Sequence, residues 1–157
     1  VQLFGKPLYD EVGDKTSLFD SVAQFDHDGI AEFNSNITNQ PGVFYASVAG
    51  RSDNTPSGGE CYTRDAPEFI RTWNDQTDPI DPLLATTEAF VSDSSEMPND
   101  GLVTVESAQW GEFLGCIPAD HLDQVGQLLG DSPGGDNTFD HLEFFSGLVD
   151  WLRSRGL

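Results

Sequence analysis

Basic side chains are scarce in this chain. Lys6 and Lys15 are the only lysines, and seven Lys and Arg residues in all stand against 27 Asp and Glu, a net charge of −20. A surface this acidic repels nucleic-acid phosphates and anionic lipid headgroups, which excludes both as principal partners and leaves neutral esters or cationic partners. Two readings of the charge stay open, plain solubility and adaptation to high salt. Long apolar runs are missing as well, so no segment reads as a membrane-spanning helix. The opening Val1-Gln-Leu-Phe carries no signal-peptide pattern. Cysteine is limited to Cys61 and Cys116, and neither lies in a CxxC pair or at zinc-ligand spacing from a histidine, which argues against zinc. The two allow one disulfide, expected in a secreted protein and not in a cytosolic one. No Gly-x-Ser-x-Gly occurs: Ser52, Ser57 and Ser146 each have a neighbouring glycine on one side at most, so no nucleophile elbow can be drawn.

What is present suits a globular domain. With 157 residues, 37% of them apolar, the chain is long enough to bury a real core. Residues 17–33 read as helical: Leu18, Phe19, Val22 and Phe25 form one apolar stripe, and Asp26 caps a restart that carries Ile30 and Phe33. Residues 42–50, bounded by glycines and rich in Val, Phe and Tyr, suit a buried strand. Residues 51–82 are punctuated by Pro, Gly and Asp and read mostly as loop. A helix is expected over 83–91 with Pro82 near its first turn, then short apolar stretches over 102–105 and 112–117, the second strand-like. Residues 122–129 suit a short helix and 130–135 a loop. Residues 139–155 read as a closing amphipathic helix with Leu142, Phe145, Leu148, Val149 and Leu152 inward and Gly156 as its stop. Strands alternating with helices favour the α/β class, with too few strands for a complete doubly wound sheet.

Two residues stand out chemically. Asp100, in Asn99-Asp100-Gly101-Leu102-Val103, follows an apolar segment, and His121 comes later in Asp120-His121-Leu122-Asp123-Gln124. That order matches the Ser…Asp…His sequence of α/β-hydrolases, in which the acid accepts the histidine Nδ1–H and fixes the tautomer. By order alone the pair is a weak signal. His27 and His141 sit beside acidic neighbours and read as solvated. An EF-hand over Asp26-His27-Asp28-Gly29 is rejected, because Ile37 stands where the bidentate Glu belongs.

The two blocks resemble the NDG[LV]V and HLDE[VI]xQ motifs of secreted bacterial lipases of the Pseudomonas–Burkholderia type. Asp28-Gly-Ile-Ala-Glu-Phe-Asn34 and Phe44-Tyr-Ala-Ser-Val-Ala-Gly50 look like the EGAAxFN helix and YYSWxG strand of that family. The likeness runs from about residue 17 to 129. It implies the C-terminal part of an α/β-hydrolase fold over residues 1–157, beginning just after the lid. It also implies triacylglycerol hydrolysis with Asp100 as triad acid and His121 as general base.

The same resemblance implies one structural Ca²⁺ beside the histidine loop, held by the carboxylates of Asp81 and Asp123 and the carbonyls of Gln127 and Asp131, with Asp78 as the rival first ligand. Calcium takes carboxylate and carbonyl oxygens in flexible geometry, and an Asp-rich loop repels itself without a cation. The bland alternative makes Asp81 and Asp123 helix caps. Because the nucleophile and oxyanion-hole segments lie upstream in that family, this chain looks like the product of a cut in the lid region, a subunit of a split enzyme or a truncated fragment. The expected partners are an N-terminal polypeptide carrying Gly-His-Ser-x-Gly, held against residues 43–48 and the C-terminal helix, and an apolar ester. A periplasmic folding helper is implied by the resemblance, and nucleic acid is not a partner. Cys116 departs from the family, whose second cysteine follows the triad Asp closely, but a Cys61–Cys116 bridge would still tie the long loop to the active-site side. Polyester depolymerase, phospholipase and a non-catalytic calcium-binding module stay open as rivals.

Overall fold

A computed structural model describes residues 27–52, 61, 63–91, 97–127 and 133–157. The expected stripe at 17–25, the restart cap Asp26, the loop residues 53–60 and Asp131 lie outside the described residues. The chain divides into two units, Val1–Val43 and Phe44–Leu157. In the first, the helix expected to carry Ile30 and Phe33 is present as α1, His27–Asn36.

The second unit is built on two parallel strands, β1 (Ala46–Gly50) and β2 (Glu112–Ile117), hydrogen-bonded side by side. Parallel neighbours need a long crossover, and here residues 51–111 supply it. That crossover is not all loop: α2 (Glu68–Arg71) and α3 (Ala85–Val91) lie within it, and α4 (His141–Ser154) closes the chain. The helix at 68–71 was not legible because its four residues are too few to show a period, yet Ile70 within it is 0% exposed. The result is a mixed helix and parallel-strand arrangement, compatible with an incomplete α/β layer structure.

A bulge in β2 decides which side chains meet. Ser47 pairs with Phe113, but two residues later Ala49 pairs with Cys116, so β2 carries one extra residue. Gly115 absorbs it at φ 125°, a conformation open to glycine. Strict alternation would put Leu114 and Cys116 on one face; the bulge puts Leu114 with Ile117 and Phe113 with Cys116 instead. Leu114 and Ile117 thereby join Ile70, Trp73, Ala119, Phe139 and Phe144 in the main core. Cys116 turns to the other face, among Ala49 and Val105, and is bonded to Cys61 across 55 residues with Cα atoms 5.1 Å apart. Such a bridge belongs to an oxidising environment. Among the described residues, no helix is long and apolar enough to cross a membrane.

Helix α4 begins where Asp140 Oδ1 accepts the N–H groups of Leu142 and Glu143, an N-cap of the usual kind. Its inward face differs from the expected one. Phe144 is buried, with Leu148 and Trp151 packed behind it, whereas Leu142, Phe145 and Val149 are exposed, Leu142 at 69%. The apolar residues of this helix cover two adjacent stripes, so periodicity offered either, and Gly147 chose: without a side chain it lets Phe69 sit against α4 between Phe144 and Trp151. The outward stripe borders an open groove of about 230 Å³ beside β1, walled by Val48, Val125, Phe144, Phe145 and Leu148. Among the described residues β1 pairs with β2 alone.

Candidate active site and metal centre

Asp100 sits in a tight reversal. Asn99 and Thr104 bridge antiparallel, Asp100 N–H donates to the Val103 carbonyl, and Asn99 Oδ1 accepts the Gly101 N–H at 2.8 Å. Gly101 takes φ 93° and lies against Leu84 and Ile80, so both its backbone and the space around it call for glycine. The reversal is tied to the end of β1 through Ser52, whose N–H donates to the Asn99 carbonyl at 2.8 Å.

Within that reversal the carboxylate is crowded with donors. Oδ1 accepts the N–H groups of Leu102 (2.9 Å) and Val103 (2.7 Å). Oδ2 lies 2.9 Å from His121 Nδ1 and accepts the Gln124 amide at 2.7 Å. A further bond, His121 N–H to the Asp100 carbonyl at 2.8 Å, locks the two loops together. Burial pushes the Asp100 carboxyl up, but the bonds from His121, Leu102 and Val103 outweigh it, and the carboxyl lies below its ordinary value. The bond to Asp100 raises the His121 pKa above its ordinary value, against partial burial, with the charges of Asp100 and Asp120 adding to the rise. The imidazole is 41% exposed. An ionised buried acid bonded to the Nδ1 of a half-open histidine leaves Nε2 as the atom that can exchange a proton with a reactant.

The turn that carries His121 also carries an acidic cluster. Oxygens of Asp78, Asp120 and Asp123 lie within 4.8 Å of one another, and all three residues are buried, Asp78 and Asp120 at 0% exposure. Carboxylates so close inside a protein repel strongly, and this group has the composition of a site for a metal ion. The stretch just before Asp78 is anchored from two distant residues. The buried Arg51 donates to the Asn74 and Gln76 carbonyls, and Asn137 Nδ2 bridges the carbonyls of Thr77 and Pro118 at 2.8 Å each.

The expected ligands fare unequally. Asp123 is a member of the cluster, and so is Asp78, the rival first ligand; Asp81 lies beside it. Asp81 meets the cluster through its backbone, donating its N–H to Asp120 Oδ2 at 2.8 Å, while its carbonyl accepts from Leu84 and Ala85 at the foot of α3. Gln127 is exposed and closes the turn through its N–H to the Leu122 carbonyl. Asp120 was missed. Its Oδ1 accepts the N–H groups of Leu122 and Asp123, so Asp120 shapes the turn, and the 3₁₀ turn Asp123–Val125 has no side-chain cap at Leu122. Of the helix expected over 122–129, the described residues form the 3₁₀ turn Asp123–Val125, which Gly126 ends at φ 60°; residues 128–129 lie outside the described residues. The signal for Asp120 was its place directly before the histidine, which sequence alone does not distinguish from solvation.

No model of a known protein family matches this chain, and no curated protein matches it.

Proposed function

We propose that this chain is the acid- and base-bearing part of a secreted carboxylic-ester hydrolase of the α/β-hydrolase class, acting on apolar esters such as triacylglycerols. The observation that carries the reading is the 2.9 Å contact between Asp100 Oδ2 and His121 Nδ1, with the acid ionised and buried and the base half open. His121 Nε2 takes the proton of a serine hydroxyl as that oxygen attacks the ester carbonyl. The proton passes to the departing alcohol, leaving an acyl-enzyme. Water then gives a proton to the same nitrogen and attacks the acyl carbon, releasing the acid and restoring the serine. Asp100 stays ionised throughout, holding the tautomer and stabilising the imidazolium.

The serine belongs to a segment bearing Gly-His-Ser-x-Gly, as the lipase resemblance implies. Support for its seat comes from the open groove beside β1 and the exposed Leu142, Phe145 and Val149 of α4, since a two-stranded parallel sheet with an uncovered apolar flank is an incomplete layer. A Ca²⁺ ion would be held by Asp78, Asp120 and Asp123, with the carbonyls of Gln127 and Asp131 as further oxygen donors from the resemblance. Its chemistry there is rigidity: it neutralises the cluster and pins the turn that carries His121. The disulfide supports secretion, and the resemblance adds a folding helper in the periplasm as a partner.

A serine-directed phosphonate, applied to protein purified with every associated chain and read by intact mass, tests the reading. The expected result is one adduct on a serine-bearing polypeptide that travels with this chain. No adduct and no companion chain would favour a calcium-binding module without catalysis, which the acidic cluster alone would serve.

A further inference from the structure

We infer that Gln124 is a positioning residue for the Asp100–His121 pair, steering the carboxylate from the turn that holds the acidic cluster; this rests on the hydrolase reading above. Gln124 Nε2 donates to Asp100 Oδ2 at 2.7 Å, the same oxygen that His121 Nδ1 meets at 2.9 Å. Oδ1 is anchored by the two backbone N–H groups of its own reversal. Rotation about the Cβ–Cγ axis moves both oxygens together, so the bonds on Oδ1 resist it from one side and the Gln124 amide resists it from the other. A carboxylate oxygen offers two lone-pair directions. With Gln124 on one of them, the imidazole is confined to the other, and the oxygen cannot turn away without breaking a bond to an ionised group.

The packing around Gln124 shows that the amide is held there. Gly50, at the end of β1, presses on it so closely that a Cβ at that position would collide with the Gln124 carboxamide and the Ala119 carbonyl. Gly50 does not use the left-handed region, so its missing side chain serves this approach and not a backbone angle. Gln124 also directly follows Asp123 of the acidic cluster. An ion that fixes Asp123 therefore fixes the donor that fixes the acid. Because an amide does not titrate, it donates at every pH and competes with neither partner for the proton.

Gln124→Met keeps the length of the side chain and removes the donor. In the assembled enzyme, kcat is expected to fall about tenfold with KM within about twofold, since the lost bond acts on the reacting pair and not on ester binding. In the purified chain with Ca²⁺, the far-downfield proton resonance of the Asp100–His121 hydrogen bond is expected to move or broaden, a change that loss of packing elsewhere would not cause. Gln124→Asn, smaller and still polar, withdraws the donor without an apolar clash and is expected to act the same way. If the resonance and kcat survive in both variants, the positioning role is wrong and the triad stands. If the unaltered chain shows no such resonance and Asp100→Asn leaves kcat unchanged, the hydrolase reading itself is wrong.

Discussion

Replacing Asp100 by Asn keeps the shape of the site and changes only what each atom donates, and the structure says which way the new amide must turn. With its oxygen at the Oδ1 position it keeps both backbone bonds, from Leu102 at 2.9 Å and Val103 at 2.7 Å. The opposite orientation would set an NH₂ group against two N–H donors, so the first wins. The NH₂ then faces His121 Nδ1 and the Gln124 amide. Toward the imidazole it can only donate, which forces Nδ1 to be the acceptor and moves the ring proton to Nε2. A histidine in that tautomer cannot take the serine proton. The expected loss in kcat is about 10⁴-fold, or roughly 5.5 kcal/mol of barrier. Stability should suffer far less, because one bond to Gln124 is lost while the reversal stays intact, a cost of about 1–3 kcal/mol. Hydrolysis of a short p-nitrophenyl ester by the assembled enzyme, paired with thermal unfolding, separates the two effects. A fall of less than tenfold with an unchanged fold would remove Asp100 from the triad.

The acidic cluster should make stability depend on calcium with opposite signs in two variants of condition. At a calcium concentration of about 100 times Kd the ion adds about 2.7 kcal/mol, so chelation should lower Tm by roughly 10 °C. Asp78→Asn should melt below the unaltered chain in calcium and above it in chelator, because one of three crowded charges is gone; melting curves that never cross would count against the site. Reducing the Cys61–Cys116 bridge frees a 55-residue loop and should cost about 4 kcal/mol in guanidine unfolding, whereas a cost under about 1 kcal/mol would mean the closed loop contributes little. The His121 midpoint, followed by NMR, should lie above the ordinary 6.5 and drop in Asp100→Asn, since the bond to Asp100 is the main cause of the rise. A raised folded value means that the His121 contribution is complete below the unfolded value and fades as pH rises through the folded one. The lowered Asp100 value works the other way: its contribution is present above the ordinary 3.8 and is lost as pH falls through the folded value. A His121 midpoint at or below 6.5 would contradict the pairing.

Much of the framework was legible along the chain, and the reason is local. The strand over Glu112–Ile117 sits between Gly111 and Pro118, and α4 is bounded by its cap Asp140 and by Gly156, so backbone chemistry within a few residues marks both. Asp100 and His121 could be named as partners from their order and motif, yet only folding brings Oδ2 and Nδ1 to 2.9 Å. Other features depended on contacts between distant residues. The inward face of α4 turned on Gly147 meeting Phe69, and the disulfide on a bulge at Gly115 that turns Cys116 toward Cys61. Asp78 and Asp81 are three residues apart with the same chemistry, and the carboxylate that lies with those of Asp120 and Asp123 is that of Asp78, at the end of a stretch held by Arg51 and Asn137 from elsewhere in the chain. Asp120 lies just outside the HLDE[VI]xQ histidine motif and Gln124 departs from its Glu. Their roles arise because one turn is pressed against the Asp100 reversal on one side and the Asp78 loop on the other, an arrangement that burial and hydrogen bonding across the fold create and that no local pattern records.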